Sequence, residues 1–295
     1  MTTAEPLSPS QSRIKKIIEE ILSLPTLPTV LSRVTQLMQN PKVSANEVGQ
    51  AISSDQALAT KILKVVNSPF YGFPSRIKTI THAIVILGFN AVKATAMSAS
   101  VFSSFSKDKN ETSSFNRVAF WKHSLGVGAA SRVLAKKLQL KETEEAFLAG
   151  LMHDLGKMVL DQYFHEQFEQ VLRLVKEKGC FIIDAEKEVM DGVSHCEIGA
   201  WLGKRWNLNE EMIQVIGNHH APSSASHHFQ ITSIIHIANV LTHAIEIGNS
   251  GYDLIPKANP DAWKLLKLTS DILPEILEEI ASEVRKTEIF FNMLS

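Results

Sequence analysis

Residues 151–157 read Leu151-Met152-His153-Asp154-Leu155-Gly156-Lys157, an imidazole and a carboxylate side by side at the end of a segment spanning about 143–153. Apolar side chains at spacings of three and four make that segment a helix. Neighbouring helix positions diverge by about 100°, so the pair reaches one point only beside the helix flank, and further ligands must come from other helices. The sequence supplies them in order: His123 in Trp121-Lys122-His123-Ser124, His195 in the first turn of a capped helix, and the doublet His219-His220 just before Pro222. A chain that gathers these groups has to be a set of packed helices.

The rest of the sequence carries the same period, and strand-like alternation is scarce, which predicts an all-α protein. Pro28 opens a segment with Leu31, Val34, Leu37 and Met38 on one face, and Asn40-Pro41 stops it. Ser44-x-x-Glu47 and Ser194-x-x-Glu197 are capping boxes. Ser54 reads as the cap of the helix carrying Leu58, Ile62, Leu63 and Val66, and Gly88 separates helices over 80–87 and 91–102. Further helices are expected near 116–138, 165–178, 184–190, 195–206, 210–219, 229–247, 260–268 and 271–291. The polar stretch Ser103 to Ser114 marks a boundary between two packed helical subdomains, residues 13–108 and 109–295, after a flexible tail over 1–12.

Composition sets outer limits. The 295 residues carry a net charge of −1, with 44% hydrophobic and 21% charged side chains, which excludes a disordered or strongly basic chain. That near-neutrality conceals a +5 half up to residue 108 and a −6 half after it. Two cysteines, Cys180 and Cys196, are too few for a disulfide framework. No apolar run approaches the roughly 18 residues of a membrane span. Met1 to Ser12 lacks a basic-then-apolar leader, so a cytoplasmic protein is expected.

Ten of the eleven histidines lie in the acidic half. Several imidazoles with one carboxylate, drawn from separate helices, suit Zn²⁺, Mn²⁺ or Fe²⁺ better than Mg²⁺ or Ca²⁺, which favour oxygen ligands. Such an ion activates water and clamps a phosphate oxygen, and Lys157, read as lying on a short loop beyond the pair, adds positive charge for a phosphate. The plain alternative is a buried hydrogen-bonded polar cluster without metal. His165, His227, His228 and His243 are read as surface residues, and Cys196 as a small buried hydrophobe.

The ordered set His123, His153-Asp154, His195 and His219-His220 resembles the HD superfamily of metal-dependent phosphohydrolases, and the whole-chain pattern resembles its HDOD branch of bacterial signalling proteins. Leu24-Pro25-x-Leu27-Pro28, Ile62 to Ser68, Tyr71-Gly72 and Ile80-x-x-Ala83-Ile84-x-x-Leu87-Gly88 are similar to the HDOD N-terminal pattern. The resemblance implies one metal on His123, His153, Asp154 and a late-helix aspartate, whose place Asn239 takes here. It implies a second on His195, His219 and His220 with Asp154 as bridge, so that one or two ions are held, with Asp154 and Lys157 as the catalytic pair if the protein turns over substrate. Asn239 offers a neutral carbonyl where the family has a carboxylate. The HD-GYP relatives carry Glu directly after the histidine doublet and a Gly-Tyr-Pro loop downstream, whereas this chain reads His219-His220-Ala221-Pro222, so cyclic di-GMP hydrolysis is not supported. Gly251-Tyr252-Asp253 is read as a chance echo of that loop.

The resemblance therefore favours a signal-transduction or regulatory module with a metal-binding centre and little or no turnover, whose partners are signalling proteins or a small phosphorylated ligand. A metal-dependent phosphohydrolase or phosphodiesterase is the alternative. A nucleic-acid-binding regulator ranks third, since the +5 balance of the first half is modest and no basic cluster with interleaved aromatics occurs. Asn67 to Pro74 is read as an aromatic anchor for the core, and Phe115, Phe120 and Trp121 as the seam between the halves. No phosphate-cradling glycine loop or serine-hydrolase elbow is present.

Overall fold

The computed structural model describes residues 12, 29–69, 71–105 and 113–294. Among them every regular element is helical. The first five are α1 Thr29–Met38, α2 Ala45–Ser53, α3 Gln56–Val66, α4 Ile80–Leu87 and α5 Phe89–Phe105. They are followed by α6 Arg117–Lys137, α7 Thr143–Met152, α8 Leu155–Tyr163, α9 His165–Lys178, α10 Ile182–Val189, α11 His195–Arg205, α12 Glu210–Asn218, α13 Phe229–Ala244, α14 Pro260–Leu265 and α15 Leu273–Leu294. Short 3₁₀ turns occupy Pro222–Ser224 and Ser226–His228. No helix of the described residues is long and apolar enough to cross a membrane. The tail over 1–11, the Leu24 to Pro28 motif, Phe70 and the centre of the polar boundary, 106–112, lie outside the described residues.

Both capping boxes form: Ser44 Oγ accepts the Glu47 N–H at 3.2 Å while Glu47 accepts the Ser44 N–H at 2.9 Å, and Ser194 with Glu197 does the same for α11. Besides shifts of two or three residues at the ends of helices such as Phe89–Phe105 and Pro260–Leu265, three differences from the sequence reading stand out. Asp55, not Ser54, caps α3, accepting the Leu58 N–H at 3.0 Å; Ser54 ends the preceding helix. The helix expected over 229–247 stops at Ala244. The third difference is α8, a helix directly after His153-Asp154 where no helix was expected.

The centre of the molecule is α6. From Phe120 to Ala135 it is buried almost all round, because Gly126, Gly128, Ala129, Ala130 and Ser131 leave room for neighbours on every side. It is packed by α7, α13 and α15. A Cβ on Gly150 would stand 2.8 Å from the Gly128 backbone, so glycine at this crossing is what lets α6 and α7 touch. Helix α15 also packs on α3 and α5, and the buried hydrophobic side chains from Leu31 to Ile280 form one continuous core. Trp121 of α6 stacks on Phe102 of α5 with ring centroids 4.1 Å apart, joining the first five helices to the rest. After α3, Asn67 ties the chain down with its amide on the Leu63 and Ile77 carbonyls, and the Tyr71 hydroxyl meets Thr95 Oγ1 at 2.9 Å.

Candidate metal centre

The pair His153-Asp154 sits at a corner. His153 closes α7 and Asp154 precedes α8, so the two side chains turn to one point instead of diverging along a single helix. The corner is fixed from the other side by Gly156, where a Cβ would meet the His195 carbonyl oxygen at 1.9 Å, so α8 lies directly against the start of α11. Lys157 therefore stands in the first turn of α8, not on a loop as the sequence suggested.

Asp154, 1% exposed, is shared between two groups. Its Oδ2 accepts the Lys157 ammonium at 2.7 Å and lies 3.2 Å from His153 Nε2. Its Oδ1 lies 3.2 Å from His195 Nε2 and 3.4 Å from His219 Nε2. His153 Nδ1 donates to the Gly150 carbonyl at 2.6 Å, which leaves Nε2 as an acceptor facing a carboxylate. In the same first group, His123 Nε2 is 2.9 Å from Asn239 Oδ1 on α13.

The second group is oriented from behind. His195 Nδ1 pairs with Glu186 of α10 at 2.5 Å, and the same carboxylate accepts the His195 backbone N–H at 3.0 Å. His219 Nδ1 donates to the Ile216 carbonyl at 3.0 Å. Both Nε2 atoms are thereby aimed inward, 3.4 Å apart, and His220 Nε2 joins them at 3.2 Å from His195 Nε2. Carboxylate or carbonyl partners on the outer nitrogen are the usual support of metal-ligating imidazoles. Cys196 completes the group, its Sγ 3.6 Å from His195 Nε2.

The electrostatics follow from burial and from this sharing. Burial opposes charge on His195, but Cys196 and Glu186 outweigh it and raise its pKa well above the ordinary value. His219 is raised to about 9 against the same penalty, chiefly by Cys196 and Asp154. Burial, with the surrounding imidazoles, pushes His123 and His220 well down and lowers His153. Burial works to raise Asp154, yet His153 and Lys157 hold its carboxyl well below the usual range. Cys196 is lowered to about 6, because His195 and His219 outweigh its desolvation.

A divalent ion fits both groups. The donor atoms of His123, His153 and Asp154 lie within 4.8 Å of one another, as do those of His195, Cys196, His219 and His220. His153 Nε2, Asp154 Oδ1 and His123 Nδ1 are buried with no hydrogen-bond partner, a state that buried polar atoms normally avoid and that a cation relieves. The donors are imidazole, carboxylate and thiol, the set that suits Zn²⁺, Fe²⁺ or Mn²⁺.

All seven residues expected at the centre are thus brought together: His123, His153, Asp154, His195, His219, His220 and Asn239, with Lys157 beside them. Four that the sequence reading set aside or passed over are there as well. Cys196 faces imidazoles rather than core carbon. His243 is no surface residue: its ring centroid is 4.5 Å from that of His123, and burial lowers its pKa to about 3. Tyr252 packs on His243 at 4.6 Å and its ring lies 5.3 Å from the Lys157 ammonium, so this one residue of Gly251-Tyr252-Asp253 borders the centre, while Asp253 is exposed and bonded to Asn249. Glu186 gave no signal. The spacing of four between Asn239 and His243, which puts both on one helix face, was the available sign for the latter. His227 is exposed and His228 half-buried, both away from the centre, as is His165. A separate cleft of about 620 Å³ opens between α1, α5, α7 and α12, with Arg33 and Lys93 on its wall and Trp206 and Met212 among its apolar lining.

Comparison with known proteins identifies the family and the fold. The model of the HDOD domain family matches residues 24–222. A protein of Treponema pallidum (strain Nichols), described as uncharacterized, is 27% identical over 246 residues; the match takes in 82% of this chain and 46% of that protein, so the chain spans about half its relative's length. The crystal structure of an HDOD domain protein of unknown function from Geobacter sulfurreducens superposes with a TM-score of 0.75 at 25% identity, covering 96% of this chain and 97% of the other. A Shewanella amazonensis SB2B protein, provisionally described as a phosphohydrolase, has the same fold, with a TM-score of 0.74 at 21% identity over 95% and 97% of the two chains.

Proposed function

The chain belongs to the HDOD domain family, and from that premise we propose that it is a signal-transduction module whose metal-binding centre holds the fold together and turns over little or no substrate. The observation that carries this reading is the closure of the centre. His123, His153, Asp154, Lys157, His195, His219 and Asn239 are all 0–2% exposed, and Lys157 covers Asp154 Oδ2. Among the ligands only His220 is half-buried, so the approach of a phosphoester is confined to its edge, and the buried His153 and Asp154 are closed to it. Asn239 supports the same conclusion, since a neutral amide beside His123 adds no charge to hold a second cation.

A bound ion supplies Lewis acidity and a cross-link between helices. The protein's own groups do the rest: Glu186 and the Ile216 carbonyl orient His195 and His219, Asp154 is shared by both groups, and Lys157 balances the carboxylate. On this reading the protein works in the cytoplasm, which suits two cysteines left as free thiols, and its halves, 13–108 and 109–295, are subdomains that present helical surfaces to partner signalling proteins. A small phosphorylated ligand is the other candidate partner, for which Arg33 and Lys93 in the 620 Å³ cleft provide charge.

The second reading, a metal-dependent phosphohydrolase or phosphodiesterase, is favoured by one observation: Asp154 directs one oxygen to each ligand group, as a bridge between two ions would. Elemental analysis of the purified protein, followed by assays with a chromogenic phosphodiester and with nucleotides under Mn²⁺ or Fe²⁺, separates the two. Bound metal with background hydrolysis is expected. Metal-stimulated turnover that Asp154→Ala abolishes would establish the enzyme instead.

A further inference from the structure

Cys196 occupies the second position of α11, 3% exposed, directly after His195. A cysteine that merely filled space would face carbon; this Sγ lies 3.6 Å from His195 Nε2, and His195, Cys196, His219 and His220 each offer a donor atom within 4.8 Å of the others. Beyond them lies Asp154 Oδ1, a buried carboxylate oxygen with no hydrogen-bond partner. Nitrogens about 2.05 Å and a sulfur about 2.3 Å from a tetrahedral ion stand about 3.3 Å (N to N) and about 3.6 Å (N to S) from one another. The group shows 3.4 Å from His195 to His219, 3.2 Å from His195 to His220, and 3.6 Å from His195 to Cys196.

We propose that Cys196 is a metal ligand, and that His195, Cys196, His219 and His220 form a four-ligand, thiolate-containing site for a borderline tetrahedral ion, Zn²⁺ foremost. The inference rests on the metal-holding part of the function proposed above and deepens it. Thiolate selects Zn²⁺ over the harder Mn²⁺, and four protein ligands leave no position for water or substrate, the pattern of a structural site. A ligand set of three imidazoles without the thiol would instead keep a place open for chemistry.

The test is to strip the full chain of metal, reload it with Co²⁺ alone and record its electronic spectrum. A sulfur-to-cobalt charge-transfer band in the near ultraviolet, with the intense visible absorption of a tetrahedral ion, is expected. Cys196→Ser should remove the band and weaken Co²⁺ binding by about 10-fold or more, since loss of even a supporting partner weakens metal sites 10–100-fold. Cys180→Ser should leave both unchanged. Co²⁺ bound to the wild-type chain without the band, or a band lost in Cys180→Ser, overturns the thiolate assignment and leaves the metal-holding reading standing. Failure of the helical wild-type chain to take up Co²⁺ overturns both. The deciding spectrum is that of the wild type, so a Cys196 variant that misfolds does not shelter the proposal.

Discussion

Asn239 stands 2.9 Å from His123 Nε2 and carries no charge, which makes the first ligand group the poorer of the two. Asn239→Asp should raise affinity for Mn²⁺ at that group by about 10-fold, because ligand charge is what tunes such sites, while lowering the stability of the metal-free protein by burying a second carboxylate near Asp154. Competition titration against a chelator, paired with denaturant unfolding, reads both effects; unchanged affinity would mean that His123 and residue 239 hold no ion. Glu186 acts from behind His195. Glu186→Gln keeps the shape but not the charge, and should weaken metal binding 10–100-fold with little change in far-ultraviolet circular dichroism. At this scale the sequence was informative where residues sat in ordered motifs and silent where they did not. Glu186 lies among Lys187 and Glu188 on what reads as a solvated face, and only the packing of α10 on its neighbours turns it inward.

Helix α8 explains the largest gap between sequence and fold. Its run Met158-Val159-Leu160 shows no polar face, and its start lacks the usual cap: Asp154 precedes the helix but makes no side-chain cap bond, because its carboxylate is given to Lys157 and the imidazoles. A residue that would announce a helix has been taken for the centre. Both capping boxes were legible because local side chains satisfy local backbone groups, whereas the Asp55 cap and the stop at Ala244 were not. The crossing of α8 and α11 depends on Gly156, whose replacement by alanine would drive a methyl into the His195 carbonyl. Gly156→Ala should cost about 3 kcal/mol or more by denaturant unfolding and displace His195 enough to abolish metal uptake. Full stability in that variant would show that the two helices are not in contact at this point.

Across the molecule, α6 and α15 are joined by Arg132 and Glu283. Burial works to raise the Glu283 carboxyl, but Arg132 and Lys286 outweigh it and its pKa is lowered from 4.5. A carboxylate depressed by folding stabilises the protein above its unfolded pKa, and that contribution fades as pH falls through the lower, folded value. The wild-type chain should therefore exceed Glu283→Gln in stability at pH 7, and the difference should begin to shrink near pH 4.5 and be lost as pH falls through the depressed folded value. A gap that persists undiminished to pH 2 would show that charge is not its source. The overall class, all-α with the histidines converging, was readable from periodicity and order; the role of α15 was not, because an amphipathic helix does not say which partners its apolar face will meet.

That role has a consequence for how the chain is made. Helix α15 is the last of the described elements to be synthesised, yet it packs on α3, α5 and α6. While it is still inside the ribosome, the surface it covers, including Arg132, faces water and other nascent chains. Early helices of this protein therefore wait, incompletely sealed, for a partner some two hundred residues downstream. That interval is when chaperones would hold it and when aggregation competes most strongly with completion of the fold.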